Sequence, residues 1–361
     1  MRLGIVSLGS LSSQWIAKEA ANYFDKVEEL DLKKFEVNMS DAGAEVSYDG
    51  KPLGKYDCLY VRGSHKYSML QRAITRALHH EVYMPTDPKA FTIAHDKFLT
   101  LIELQKHKVA IPRSFYAPDT NAAKKLLEEI TYPVIIKLPS GTHGKGVTIA
   151  DSIESAKTFI DALQTFKSPY ILQEFIDTGA KDIRAIVAGD KVIAGMNRVA
   201  AKKEIRANIH SGGKGLKIEI DAEVERLAVL SAKAVGADVC AVDILKGRKP
   251  VVLEVNLSPG LQGITKVTGI NVAREIARFL HESTMEFMEK QAKTGFTGIK
   301  KELDIEHKDE HEKEMMTSLD VRTGIIRLPK VITDITKFNS DTEVKITAKK
   351  GKVTIEKYKI S

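Results

Sequence analysis

The amino-acid sequence predicts a mixed α/β chain, in the α+β sense, with a small β-rich appendage at its end, and three observations carry that expectation. Residues 2–23 open as a buried strand, a Gly9-Ser10 loop and a helix in which Trp15, Ile16, Ala20 and Tyr23 recur at helical spacing. Short apolar runs then alternate with amphipathic stretches up to about residue 290. Beyond it, residues 324–328, 343–348 and 353–358 alternate apolar and polar side chains, the pattern of strands.

The remaining elements follow in chain order. Residues 57–61 (Asp-Cys-Leu-Tyr-Val) read as a strand, 68–78 as a helix, and Met84, Pro85, Thr86, Asp87 and Pro88 as a breaker-rich edge, which makes 1–92 a small α/β domain. Residues 98–107 have helical periodicity. Residues 134–137 and 147–150 are strands around a glycine-rich loop, followed by a helix at 153–164 and a strand at 170–173. Strand signals at 184–187 and 191–194 lead into a basic loop at 198–217. A helix at 223–235, a hairpin-like pair at 240–245 and 251–255, and a terminal helix at 273–288 complete this part. Boundaries are expected near 92, 176 and 290. Residues 302–314 are charge-dense, and their His307 and His311 read as part of a solvated helix because no third metal ligand accompanies them.

An apolar fraction of 43% over 361 residues excludes a disordered chain. Cys58 and Cys240 stand far apart with no Cys-x-x-Cys pair, which argues against a disulfide framework or structural zinc and for a reducing cytoplasm. No signal peptide or membrane span is expected. The net charge of +7 alone admits nucleic acid, a membrane surface or acidic small molecules. Its location narrows this: residues 198–217 hold six basic residues against one acid, Glu204, so most of the excess sits in one loop and needs no nucleic acid to explain it.

Candidate chemistry begins with glycine. Gly4 and Gly9 have P-loop spacing, but Ser10 and Leu11 stand where Lys and Ser/Thr are required, so that reading fails. The loop 141–146, with Gly141, Gly144, Lys145 and Gly146, lies between two strands and has the freedom to lay backbone N–H groups over phosphates. Lys137 closes the preceding apolar strand, where an ammonium is costly unless it meets an anion; the plainer reading is a snorkelling lysine on an edge strand. Gln173, Glu174, Phe175 and Ile176 leave a strand at a domain boundary, as an adenine-binding hinge would. Asp243, Glu254 and Asn256 leave the two strands of a hairpin. Glu254 and Asn256, two apart, share a face, and an antiparallel partner brings Asp243 beside them, giving three hard oxygen ligands suited to Mg²⁺.

These residues, with Lys97, Asp182-Ile183-Arg184, the run Arg206-Ala207-Asn208-Ile209-His210-Ser211-Gly212-Gly213, residues 236–245 (GADVCAVDIL) and Glu254-Val255-Asn256-Leu257-Ser258-Pro259-Gly260, resemble the RimK-type alpha-L-glutamate ligases of the ATP-grasp superfamily. The resemblance covers residues 1 to about 285. It implies an ATP-grasp fold with a Rossmann-like pre-ATP-grasp domain at 1–92, a lid subdomain at 93–176, a catalytic subdomain at 177–290, and a linker and appendage at 291–361. It implies that Lys97, Lys137, Gly144, Lys145 and Gly146 contact ATP phosphates, that Glu174 and Phe175 hold adenine, and that Asp182 binds ribose. Asp243, Glu254 and Asn256 would hold two Mg²⁺ or Mn²⁺ ions. Arg206 and Asn208 would stand by the γ-phosphate and reacting carboxylate, with Arg198 a further anion contact.

The implied reaction is ATP-dependent amide formation through an acyl phosphate, adding L-glutamate to the carboxyl terminus of a protein or of a glutamyl cofactor. A homo-oligomer is also implied. This chain has Ala207 and Ser211 where the family has Ser and Arg, beside the expected substrate, and Gly260-Leu261 where lysine- or arginine-pathway relatives show Glu-Phe. The competing reading is a non-catalytic ATP-regulated module that binds RNA or protein through Lys349, Lys350 and Lys352. No interleaved aromatics support a stacking platform there, and both phosphate lysines and all three metal ligands are present.

Overall fold

The structure is a computed structural model. It describes all residues except 42, 117–119, 140–145, 201–212, 304–319, 323–324, 328–335, 337, 339–341, 351 and 359–361. The described residues form two compact units, Met1–Phe296 and Thr297–Ser361.

The first unit opens with β1 (Arg2–Ser7), α1 (Leu11–Ala20) and β2 (Lys26–Asp31). The Ser10 hydroxyl caps α1 by accepting from the Ser13 N–H. An antiparallel meander follows, β3 (Phe35–Ser40), β4 (Gly43–Tyr48) and β5 (Lys51–Pro52), and then β6 (Cys58–Val61). Strands β2, β1 and β6 lie parallel in that order. Their carboxyl ends open where Ser10 and Arg62 stand, the side on which open parallel sheets receive ligands. The meander escaped the sequence reading, although Phe35, Val37 and Met39 carry its alternation.

Helices α2 (Ser68–Leu78), α3 (Ala90–Ile93) and α4 (Lys97–Lys106) connect to a four-stranded antiparallel sheet. This sheet comprises β7 (Ser114–Tyr116), β8 (Val134–Lys137), β9 (Val147–Ala150) and β10 (Ile171–Glu174), in the order β7-β10-β8-β9. Helices α5 (Thr120–Leu127) and α6 (Ile153–Thr165) accompany it, burying Ala123, Leu127, Ala156 and Ile160 against Val134, Ile136 and Leu172.

A five-stranded antiparallel sheet supplies the floor of the site. Its members are β11 (Lys181–Ala188), β12 (Lys191–Val199), β13 (Lys214–Lys217), β14 (Val239–Lys246) and β15 (Pro250–Asn256), ordered β13-β12-β11-β14-β15. Between them runs α7 (Ala222–Val235), capped by the Asp221 carboxylate and stopped by Gly236 at φ 82°. After them come α8 (Gln262–Thr268) and α9 (Val272–Leu303). Both faces of the sheet are covered. Ile183, Ala185, Val187, Val242 and Ile244 join α7 in one core, while Ile186, Met196, Val239 and Ala241 join α1 and the first turns of α9 in another. Helix α9 runs past its expected end at Met288: Glu289 to Lys293 are strong helix formers and no proline follows, so the helix continues across Gly295 and Gly298 to Leu303.

In the second unit, β16 (Asp320–Arg322) pairs with β17 (Ile325–Arg327), and β18 (Val344–Lys349) with β19 (Lys352–Lys357), both antiparallel. His307, His311 and most of the charged stretch at 302–314 lie outside the described residues. Among the described residues no helix is long and apolar enough to cross a membrane.

Candidate active site

Period-two geometry builds the floor. The sheet face that carries Ile186, Val239, Ala241 and Met196 into the core carries Asp182, Arg184, Arg198 and Asp243 farther along the same strands. On β15 the phase is adjusted by a bulge. Ile244 pairs with Val252 but Asp243 pairs with Glu254, so Leu253 is the extra residue. Val252 and Val255 therefore both stay in the core, and Glu254 and Asn256 line the cavity with Asp243. Simple alternation from Val252 would have put Glu254 in the core.

The cavity is about 680 Å³ in volume, lined by the four-stranded and five-stranded sheets and by residues that follow the carboxyl ends of β1 and β6. Asp243 is its most constrained group. Arg184 donates to both carboxylate oxygens, Nε to Oδ1 at 2.8 Å and Nη2 to Oδ2 at 2.7 Å, and Arg198 Nη2 donates to Oδ2 at 2.7 Å. Burial alone would raise this carboxyl, but the two guanidiniums outweigh it and hold it below the usual carboxylate range. Arg198 also grips Asp182 bidentately, at 2.6 and 2.8 Å. The result is a continuous row of alternating charge, Asp182, Arg198, Asp243, Arg184, across three strands. Arg184 was quoted in a sequence motif but given no role; its place opposite Asp243 in the β11–β14 register supplies one.

Glu254 differs from its neighbour. Its side chain keeps 43% of its surface open, and among the described residues its ion pair is a long one, with Arg184 Nη2 at 4.0 Å. Burial in the wall and the adjacent Asp243 carboxylate push its pKa up. Asn256 Oδ1 accepts from the Ser258 N–H at 3.0 Å, which orders the loop leaving β15. This set offers oxygen donors only: an open carboxylate, a carboxylate fixed by arginines and an amide. It fits a hard divalent cation and is poor for a soft metal. Among the described residues no cluster of three His, Cys, Asp or Glu side chains forms a metal site of another kind.

Two lysines line the same cavity. Lys137 is 4% exposed and ends β8, which has neighbours on both sides, so the edge-strand reading does not apply. Its ammonium donates to Gln173 Oε1 at 2.8 Å, and Gln173 Nε2 donates to Ser114 Oγ at 2.7 Å. Burial pulls Lys137 down to about 8, against the attraction of Glu254 and with the repulsion of Lys97. Lys97 opens α4 behind Asp96, whose carboxylate caps the helix by accepting from Phe98 and Leu99 N–H groups. Burial lowers its pKa too, opposed by Glu254 and Asp96. Two cations held in a desolvated wall are suited to an anion.

Glu174 ends β10, its backbone N–H donating to Arg113 O at 2.8 Å and its carboxylate accepting from Arg113 N at 3.3 Å. Glu174, Phe175 and Ile176 all line the cavity. Gly146 closes the glycine loop at φ 75°, its carbonyl accepting from Leu138 N at 3.0 Å. Gly144, Lys145, Arg206 and Asn208 lie outside the described residues.

With this geometry in view, the comparisons with known proteins decide the family. Residues 94–280 match the model of the RimK-like ATP-grasp domain. The chain belongs to the RimK-like ATP-grasp family. It is similar to a protein named "Probable alpha-L-glutamate ligase" from Shewanella loihica, 33% identical over 299 residues that span 81% of this chain and 97% of that one. A namesake from Marinomonas sp. is 34% identical over 262 residues, 72% of this chain and 87% of that one. Among solved structures, the ATP-grasp ligase PsnB, complexed with a phosphomimetic variant of minimal precursor, Mg and ADP, superposes with a TM-score of 0.62 at 21% identity. That match covers 78% of this chain and 98% of PsnB. The D-alanine-D-alanine ligase from Coxiella burnetii gives 0.57 at 12% identity, over 83% of this chain and 99% of that one, a likeness of fold alone. This RimK-like protein is thus an ATP-grasp ligase, an enzyme whose class joins a carboxylate to an amine with ATP.

Proposed function

We propose that this ligase forms an amide between a carboxylate acceptor and the amine of L-glutamate, through an acyl phosphate. One observation carries the reading: Asp243 and Glu254 are paired across β14 and β15 in the lining of a cavity that Lys97 of α4 and Lys137 of β8 also line. Two anions, the attacking carboxylate and the γ-phosphate, have to meet. Lys97 and Lys137 offset the phosphate charge. Asp243, Glu254 and Asn256 would hold magnesium; when bound it neutralises phosphoryl oxygens and aligns the reacting groups. Arg184 and Arg198 fix the Asp243 carboxylate so that no reorganisation is needed on binding. Glu174 and Phe175 would hold adenine, and Asp182, gripped by Arg198, would face the ribose. No protein nucleophile enters, since oxygen of the acceptor attacks phosphorus and nitrogen of the donor then displaces phosphate.

Glutamate as donor is supported by the name shared by the sequence relatives. The acceptor is proposed to be a peptide or cofactor that already ends in a carboxylate, and two divalent ions, Mg²⁺ or Mn²⁺, belong to the proposal. So do the division at 92 and 176 into pre-ATP-grasp, lid and catalytic parts, a homo-oligomer and a cytoplasmic setting. The test supplies purified protein with ATP, Mg²⁺, L-glutamate and a panel of peptides and glutamyl cofactors. Phosphate release that requires both glutamate and one acceptor class supports the reading; release indifferent to glutamate removes the donor assignment.

A further inference from the structure

The ligase reading uses Lys97, Lys137, Arg184 and Arg198 and leaves the part of the cavity lining that follows β1 and β6 without an assigned ligand. The buried cation of that part is Arg62. Arg62 is 2% exposed, yet it belongs to the cavity lining. Its Nε donates to Ser13 Oγ at 3.2 Å, Nη1 to the Tyr60 hydroxyl at 2.9 Å and Nη2 to the Pro259 carbonyl at 2.8 Å, with the Tyr60 ring 5.2 Å from its guanidinium carbon. All these partners are neutral. Among the described residues Arg62 has no ion pair, whereas Arg184 and Arg198, the other arginines of the cavity, are each bound to carboxylates. Three bonds also leave two of the five guanidinium N–H groups unused.

A buried cation without a counter-ion is unfavourable unless a ligand supplies one. The surroundings share its sign preference. Helix α1 begins beside it with Ser10 and Ser12 on the cavity wall, and the positive end of a helix favours an anion. Ser12 Oγ accepts from the Leu261 N–H at 2.9 Å and donates to Gln262 Oε1 at 3.3 Å, so this corner is tied to the loop after β15. Pro259, which Arg62 holds, is three residues beyond the metal-site candidate Asn256. Three residues of chain span at most about 10 Å, which is the scale of one amino acid with its contacts.

We propose that Arg62, with the first turn of α1, binds a carboxylate of the amino-acid donor and directs its amine toward Asp243 and Glu254. This rests on the ligase reading and names the subsite it left open. Arg62 is then a specificity residue: a donor lacking the carboxylate leaves the buried guanidinium unpaired.

The test is titration of free amino acids into the protein saturated with Mg²⁺ and a non-hydrolysable ATP analogue, read by calorimetry. Wild type should bind L-glutamate. Arg62→Gln should lose about tenfold or more in glutamate affinity, the scale of one charge-assisted hydrogen bond, with Arg62→Lys in between. Affinity for the nucleotide analogue should stay within about twofold in all three. Because Arg62 also holds Pro259, a second variant guards against simple misfolding: Ser13→Asp places a carboxylate where Ser13 Oγ already meets Arg62 Nε at 3.2 Å and should abolish glutamate binding. Unchanged glutamate affinity in either folded variant overturns the proposal. So does loss of nucleotide and glutamate together in Arg62→Gln, which would mark a structural role, or a wild type that binds no free amino acid. Binding of a different amino acid with the same Arg62 dependence upholds the subsite and overturns glutamate as the donor, so the two readings fail separately.

Discussion

At the scale of single residues, the site holds groups that are uncomfortable without ligand. Lys137 is the clearest. Its folded pKa of about 8 lies below the ordinary lysine value of 10.5, so at neutral pH the fold carries the full penalty of a buried ammonium. Stability from this group rises as pH moves from about 8 toward the unfolded value. Lys137→Met should therefore raise stability at pH 7, by roughly 1–3 kcal/mol after loss of the Gln173 bond, and should abolish nucleotide binding. Calorimetry and nucleotide titration check both halves. In wild type, phosphate favours the charged form, so ATP affinity should fall as pH rises through about 8, with proton uptake on binding above that pH. The two carboxylates should behave oppositely. Asp243→Asn strips the counter-charge from Arg184 and Arg198 and should destabilise by about 3 kcal/mol, the range for a broken buried pair. Glu254→Gln removes a charge the site already disfavours, so its melting temperature should hold or rise while Mg²⁺-dependent nucleotide binding is lost. Lys137 was legible as a charge ending an apolar run. Arg62 ends the apolar run 58–61 in the same way and passed unnoticed, because its neutral partners come from residues as distant in sequence as Pro259.

Elements explain what a one-dimensional pattern conceals. The hairpin 240–255 was evident from its apolar runs, but the bulge at Leu253 was not, since nothing local distinguishes an extra apolar residue from a core one. The meander β3–β5 was missed for a different reason. Much of it is exposed, so its alternation is diluted by polar residues on both faces. The glycine loop was legible by composition, and its last residue shows why glycine is needed. A Cβ on Gly146 would lie 2.9 Å from Leu138 Cδ1, at a φ of 75° that other residues seldom adopt. Gly146→Ala should cost about 1–2 kcal/mol and weaken ATP binding, whereas ADP release monitored by stopped flow should quicken.

For the whole molecule, the elements with a clear periodicity, among them β1, α1, β6, α2, α4, β8 to β12, α7, β14 and β15, could be read from the sequence, whereas β2 to β5, β7 and α5 were missed and the cavity could not be read because residues far apart in the chain assemble it. Two cores on opposite faces of the five-stranded sheet, both shared with the N-terminal strands, fix that assembly within Met1–Phe296. Removal of residues 297–361 should accordingly leave ATP-analogue affinity within about twofold of the full chain, by calorimetry. The central claim is ligation of glutamate through an acyl phosphate. Its most direct measurement is mass spectrometry of a reaction holding ATP, Mg²⁺, isotopically labelled L-glutamate and a mixed pool of peptides and small carboxylates, with nucleotide products quantified alongside. The account predicts an acceptor heavier by one labelled glutamyl residue, with ADP and phosphate formed in equal amount and neither product from Glu254→Gln. Formation of AMP and pyrophosphate, or ATP cleavage with no labelled amide under any acceptor, would contradict it.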